Sequence, residues 1–513
     1  MDRNDRGQPS RGERNNLIPF VENVTKIGKL GVVYILGIII PHVLTVLVLP
    51  IFTHYLPPAQ YGIVTLARQI WSPLSILIAL GLLSAVASHY FRMEEARRPQ
   101  LVKTVLIGLV IQMGLLCSVL SLAGIWVAEY LLPNLPLSPG LVLALWVMIV
   151  WTCFFSCLVL FGVTLTQLHE RAVVSVSINL LNYLLQIILG IFAVVYLGWQ
   201  GFGRQGTLLM GAIGASVFSF FVIWRFASGK FDFSLFKRIL RTGLGFVPHS
   251  FSGMLAITVN AWLVNKLVST AALGVYGIAV LFGQLIQLPL NAFGSAAYPT
   301  LAKLMSDGGT EARRQHSRLY TLLIAGISAL ALAVSLFAPV AIKILTAPGY
   351  HEAMRVVPIL VFAWLIHGLY WVASNPVFYF GGGLWMATAT ISSVVVSIIL
   401  NIILAPIYGL YGAAMAMVGC FFVRFVVITI VSHRLYPLPW QVGAIARAIG
   451  CAVLLELVDI WLSPQLPLIP AIVLKAVMLL AMIPLMWICG VVSTGEVAKA
   501  KDLIIARIRS SGR

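Results

Sequence analysis

Apolar residues run through this chain in long blocks separated by short polar joints. An α-helix needs about 20 such residues to cross a hydrocarbon layer. On that measure the pattern predicts fourteen helices, near 28–52, 61–88, 101–128, 141–166, 173–197, 207–227, 244–267, 273–298, 319–345, 354–380, 385–407, 409–432, 442–462 and 468–490. The expected fold class is an all-α polytopic membrane protein with about fourteen transmembrane helices.

Two of the blocks are copies. Residues 61–70 read YGIVTLARQI and residues 276–285 read YGIAVLFGQL, an offset of 215, with Arg68 opposite Gly283. A second pair has the same offset. The polar stripe Ser175, Asn179, Asn182, Gln186 on helix 5 faces the stripe Thr390, Ser393, Ser397, Asn401 on helix 11, and three of the four positions coincide. The pattern predicts two six-helix lobes, 28–227 and 244–432, joined by a linker at 228–243. A helix pair at 433–490 follows, with basic tails at 1–27 and 491–513. Six helices per lobe give both lobes one orientation, so a pseudo-two-fold axis along the membrane normal relates them and substrate is expected between them.

Composition sharpens this picture. The chain has 513 residues, 60% hydrophobic and only 10% charged, against about 25% charged in a soluble protein. Its net charge of +18 is an orientation signal. With the N-terminus inside, the cytoplasmic side holds 27 Lys and Arg, whereas external loops hold Arg204, Lys266, Lys343 and Arg355. By the positive-inside rule both termini are cytoplasmic, and the basicity suits anionic headgroups rather than nucleic acid. The first 26 residues lack a short apolar core and a cleavage site, so no cleaved signal peptide is expected. All six cysteines lie in apolar spans, without disulfide or zinc spacing.

Candidate chemistry is sparse. No Ser/His/Asp grouping, paired catalytic carboxylates or Walker sequence occurs, and the external connections are short. An enzyme is therefore not expected, nor a cofactor, nor a metal. Polar residues inside spans are costly and mark candidate cavity faces. Helix 2 carries Arg68, Ser72 and Ser75, and its copy, helix 8, carries Gln284, Gln287 and Asn291. Helix 7 adds His249 and Asn260, helix 1 adds His42, and helix 10 places Trp364 and His367 on one face. The alternative for each is interhelical hydrogen bonding or aromatic packing. Arg68 lies about 10 Å below the outer end of its helix, so it either faces the cavity or snorkels. Arg424, nearer the cytoplasmic end of helix 12, is expected to snorkel.

Helices 1 to 12 contain no Asp or Glu in their interiors. A cation-coupled drug exporter generally needs one, so the residual positive charge points to an anionic substrate. Glu456 and Asp459 in helix 13 lie at nearly the same depth as Lys475 in helix 14. They are a candidate structural ion pair, with a proton-linked element as the alternative.

The stretches LPPAQYG, GLLSAVASHYF and NIILAPIYGLYGAAMAM resemble polysaccharide flippases of the Wzx type, which belong to the MOP superfamily with the MATE exporters and MurJ lipid II flippases. The resemblance implies a bacterial inner-membrane protein that works by alternating access. It would turn an undecaprenyl-pyrophosphate-linked oligosaccharide, such as an O-antigen or exopolysaccharide repeat unit, from the cytoplasmic to the periplasmic leaflet. It also implies membrane lipids and polysaccharide-assembly proteins as partners. A lipid II flippase and a MATE-type cation/drug antiporter are the alternatives. The chain departs from the MATE branch in lacking that branch's helix-1 carboxylate.

Overall fold

The computed structural model describes residue 37 and residues 39–493, so the predicted basic tails lie almost wholly outside the described residues. The described chain is all-helical: α1 Ile39–Tyr55, then α2 Pro58–Ala79, α3 Leu82–Tyr90, α4 Arg98–Leu131, α5 Pro139–Leu168, α6 Ala172–Ile191, α7 Gly201–Trp224, α8 Phe233–Leu267, α9 Thr270–Gly283 and α10 Gln287–Asp307. After these come α11 Thr310–Leu345, α12 Ala353–Tyr379, α13 Gly383–Tyr408, α14 Leu410–Leu435, α15 Val442–Leu462 and α16 Leu468–Ile488.

Among the described residues eleven helices are long and apolar enough to cross a membrane, rather than fourteen. The segments expected as the first, seventh and thirteenth spans are helices α1, α8 and α15, which are not among the eleven. Large side chains such as Trp126, Leu122, Ile469 and Ile488 point outward. In water such an apolar surface would be an aggregation hazard, whereas here it is the face turned to lipid.

Helices 2 and 8 of the sequence prediction are each interrupted. α2 ends where Leu80 and Gly81 both adopt left-handed backbone, φ 48° and 68°. Gly81 abuts the carbonyl oxygen of Gly243 on α8 so closely that a Cβ has no place there. In the copy, α9 ends at Gly283 and passes through a tight turn, Gln284–Ile286, into α10. The two breaks fall at different points of the repeat, so the duplication preserves the crossing and not the kink.

That crossing is between α2 and α9, and glycine makes it possible. A Cβ on Gly62 would collide with the carbonyl oxygen of Thr270, and one on Gly274 with that of Pro58. A Cβ on Gly277 would lie 2.7 Å from Thr65 Oγ1. Gly62 and Gly277 are the glycines of the two Tyr-Gly openings, so the duplicated motif marks the place where the halves meet.

Near the α2 N-terminus, polar contacts fasten this junction. Tyr350 donates its hydroxyl hydrogen to the Leu56 carbonyl at 2.6 Å, and Tyr350 meets Tyr61 edge-to-face at 5.7 Å. Thr270 donates to the Asn134 carbonyl at 2.9 Å, Asn134 to that of Lys266 at 3.1 Å, and the Lys266 ammonium lies 4.6 Å from the Trp262 ring centroid. At the start of α8, Asp232 caps the helix by accepting from Leu235 N at 3.0 Å and Ser234 Oγ at 2.9 Å. These bonds hold its carboxyl below the usual carboxylate range.

The second half packs through the same device. Gly412 of α14 sits against the carbonyl of Leu404 on α13, and the Thr390, Ser393, Ser397, Asn401 stripe is buried. α15 and α16 pack on each other and on α11.

Replacing Gly274 by Val is expected to destabilise the protein by at least the 1–3 kcal/mol typical of overpacking, because backbone must move. Gly326→Ala, in a helix interior with open space around it, is expected to gain up to about 1 kcal/mol. Thermal unfolding of the two detergent-purified variants, followed by loss of monodisperse protein, checks both signs.

Candidate functional site

On α2, Tyr61, Arg68, Ser72 and Ser75 recur at i, i+7, i+11 and i+14, which places them along one face. Arg68 is exposed and Ser72 and Ser75 are half-buried. Ser75 donates to the Ser72 carbonyl at 2.7 Å, a local bond that leaves the Arg68 guanidinium free of it. Arg68 does not stand alone. It lies within electrostatic reach of Tyr61 and of Arg204, and Arg204 also reaches Tyr61.

Arg204 is the residue that sequence reasoning missed. The Gly-rich stretch WQGFGRQG reads as an external loop, but α7 begins at Gly201, so Arg204 sits in its first turn. Its Nη1 donates to the Gln186 carbonyl and to Thr207 Oγ1, both at 3.0 Å. The guanidinium lies 4.6 Å from the Phe52 ring centroid on α1. Gly190 makes room for it, since a Cβ there would lie 2.8 Å from Nη1. Gln186 in turn donates to Asn182 Oδ1 at 3.0 Å. The bond to Arg204 thus uses a backbone carbonyl of that helix, while the side chains of Gln186 and Asn182 bond each other. No side-chain pattern in the sequence marked this contact.

Two guanidinium groups thus share one neighbourhood with a tyrosine, and the electrostatic partners of Arg204 include no carboxylate. Like charges in a low-dielectric setting repel strongly. Such a pair is most stable with an anion between or beside its members, and a phosphate group accepts from arginine in forked geometry.

The other predicted residues fall into different surroundings. His42 and Asn291 are exposed, and Gln284 and Gln287 are half-buried at the turn between α9 and α10. Asn260 is buried and donates to the Ala413 carbonyl of α14 at 3.2 Å, a bond between helices. The side chain of His249, on α8, lies outside the described residues.

Trp364 and His367 meet edge-to-face within an aromatic column. Their ring centroids are 5.2 Å apart, and His367 lies 5.5 Å from Tyr370 and 4.8 Å from Phe421. Trp364 is 1% exposed, and it explains the repeat's asymmetry. A Cβ on Gly283 would come within 2.7 Å of its indole Cδ1.

Arg424 corrects the expectation of snorkelling. It is buried, donates from Nη2 to the Tyr370 hydroxyl at 3.1 Å, and holds its guanidinium 4.2 Å from the Tyr370 ring centroid. Its Nε has no hydrogen-bond partner. The driving force is local: a cation–π face and a hydroxyl 54 residues away in sequence. On α15 and α16, Lys475 Nζ donates to Asp459 Oδ2, and both residues are buried. Among the described residues no group of three His, Cys, Asp or Glu side chains is placed to hold a metal ion.

Comparison with known proteins places this geometry. A family model described as polysaccharide biosynthesis protein matches residues 27–305. No curated protein matches the chain. Among solved structures, an inward-facing multidrug resistance MATE family transporter of the MOP superfamily is similar at TM-score 0.65 and 16% identity, covering 79% of this chain and 97% of that one. The lipid II flippase MurJ in an inward closed conformation is similar at TM-score 0.66 and 12% identity, covering 87% and 97%. An outward-facing MATE transporter gives TM-score 0.55 at 17% identity, covering 80% and 95%.

Arg424→Met, similar in volume and uncharged, is expected to leave stability unchanged or raise it by about 1–4 kcal/mol, as for other buried charges replaced by apolar groups. Tyr370→Phe is expected to lower stability by about 1.5–3 kcal/mol, the worth of a hydrogen bond to a charged group. Thermal denaturation of the purified variants separates the two directions.

Proposed function

The chain belongs to the polysaccharide biosynthesis protein family, and we propose that it translocates an undecaprenyl-pyrophosphate-linked oligosaccharide, such as an O-antigen or exopolysaccharide repeat unit, from the cytoplasmic to the periplasmic leaflet. It is a multi-pass membrane transporter with the MOP-superfamily fold shared by MATE and MurJ proteins. The observation that carries the finer reading is the Arg68–Arg204 pair, two cations in one neighbourhood on helices α2 and α7.

In this mechanism the arginines hold the pyrophosphate, and Ser72, Ser75, Gln284 and Gln287 hydrate the sugars as they leave water. The two halves pivot about the α2–α9 crossing, exposing the pair to each leaflet in turn. The basic flanks orient both termini to the cytoplasm of a bacterial inner membrane. Outward passage of an uncompensated negative charge is favoured by about 2.3 kcal/mol per 100 mV of inside-negative potential. The lack of acidic residues inside the first twelve predicted spans disfavours a cation-coupled exporter.

Mass spectrometry of lipids retained by the gently extracted protein is expected to find a polyprenyl-pyrophosphate oligosaccharide. A lipid bearing a peptide would assign the protein to cell-wall precursor transport instead, and neither lipid with efflux of cationic dyes would overturn the flippase reading. Arg68→Ala and Arg204→Ala are each expected to slow translocation in proteoliposomes by roughly one to two orders of magnitude, the worth of a charge-assisted contact of about 1.5–3 kcal/mol. Well-folded variants with undiminished rates would remove these residues from the site.

A further inference from the structure

One cluster of titratable side chains takes no part in the arginine site. α15 presents Glu456 and Asp459 one turn apart, α16 brings Lys475 against them, and α11 brings the hydroxyl of Ser335. Asp459 is 6% exposed and Lys475 4%. Lys475 Nζ is bonded to Asp459 Oδ2, which makes one matched ion pair. Glu456, half-buried beside this pair, leaves the cluster with one negative charge too many if it is ionised.

The groups facing Glu456 offset that charge only in part. α16 offers Lys475, already committed to Asp459, and α11 offers at this level only the uncharged Ser335. Lys343, the next cation along α11, is more than two turns away. The turn Ser463–Gln465 contains no titratable side chain. Glu456 Oε2 is buried with no donor in full hydrogen-bond geometry, and the Ser335 hydroxyl lies close enough to interact with that carboxyl. A buried carboxylate without a matching cation is strongly disfavoured beside hydrocarbon.

We propose that Glu456 is a proton-binding site at the seam between the α15–α16 helix pair and α11. A proton taken from solution forms an O–H bond on the Glu456 carboxylate, and the neutral acid donates to Ser335 Oγ. One proton thereby removes the surplus charge. Its release to solution restores the carboxylate, to which the Ser335 hydroxyl can donate in turn. Asp459 and Lys475 stay paired throughout and act as positioning residues. The site is remote in sequence from Arg68 and Arg204, and it stands whether or not the transported lipid is the one proposed above.

Infrared difference spectroscopy on the full-length protein in ether-lipid vesicles, free of ester carbonyls, tests this with choline as the only added cation. Lowering the pH is expected to raise a protonated-carboxyl band. That component should be lost in Glu456→Gln and shifted in frequency in Ser335→Ala. Lys475→Gln, which leaves two carboxylates without their cation, should raise the band about twofold. A response unchanged in Glu456→Gln, or no pH-dependent band at all, would overturn the proposal. So would suppression of the band by sodium at constant pH, which would make the site a metal-cation site.

Discussion

Two helices in this protein approach until backbone touches backbone, and the remaining architecture is arranged around that contact. Gly62 lies against Thr270 and Gly274 against Pro58. Neither position tolerates even a methyl group without displacement of main chain. In lipid, helices gain little by excluding water from one another, so close packing of small residues and polar bonds must hold them. The α2–α9 crossing supplies the first, and the bonds of Tyr350, Thr270 and Asn134 supply the second.

Charge is distributed around this junction unevenly. In the first half Arg68 is exposed and Arg204 is held on three sides by Gln186, Thr207 and Phe52. In the second half Arg424 is sealed beneath Tyr370. The duplicated polar stripes diverge in the same way. On α6 the backbone carbonyl of Gln186 accepts from Arg204, whereas the stripe on α13 is buried against α14. One repeated pattern thus lies beside a cation in one copy and is packed away in the other.

The sequence made the all-helical class legible, because a run of about 20 apolar residues has few other uses. It also exposed the internal duplication, because polar residues in such runs are rare enough for a shared offset to be visible. The interruptions in α2–α3 and α9–α10 were not legible. Their apolar flanks continue unbroken, and Gly81 becomes a break only because Gly243 approaches it from α8. Arg204 was hidden by glycines that read as loop but in fact clear space within a helix. Arg424 could be placed by depth but not by direction, since its partner belongs to a helix distant in sequence.

The indole of Trp364 has a consequence for how this half of the chain can change. Because it occupies the volume that a side chain at position 283 would need, the second copy cannot acquire the arginine of the first by a single substitution. The ring would have to shrink first, and with it the aromatic column through His367 and Phe421. A new charged side chain should therefore be accommodated more readily on the α2, α6 and α7 side. The α9–α12 side is closed by packing.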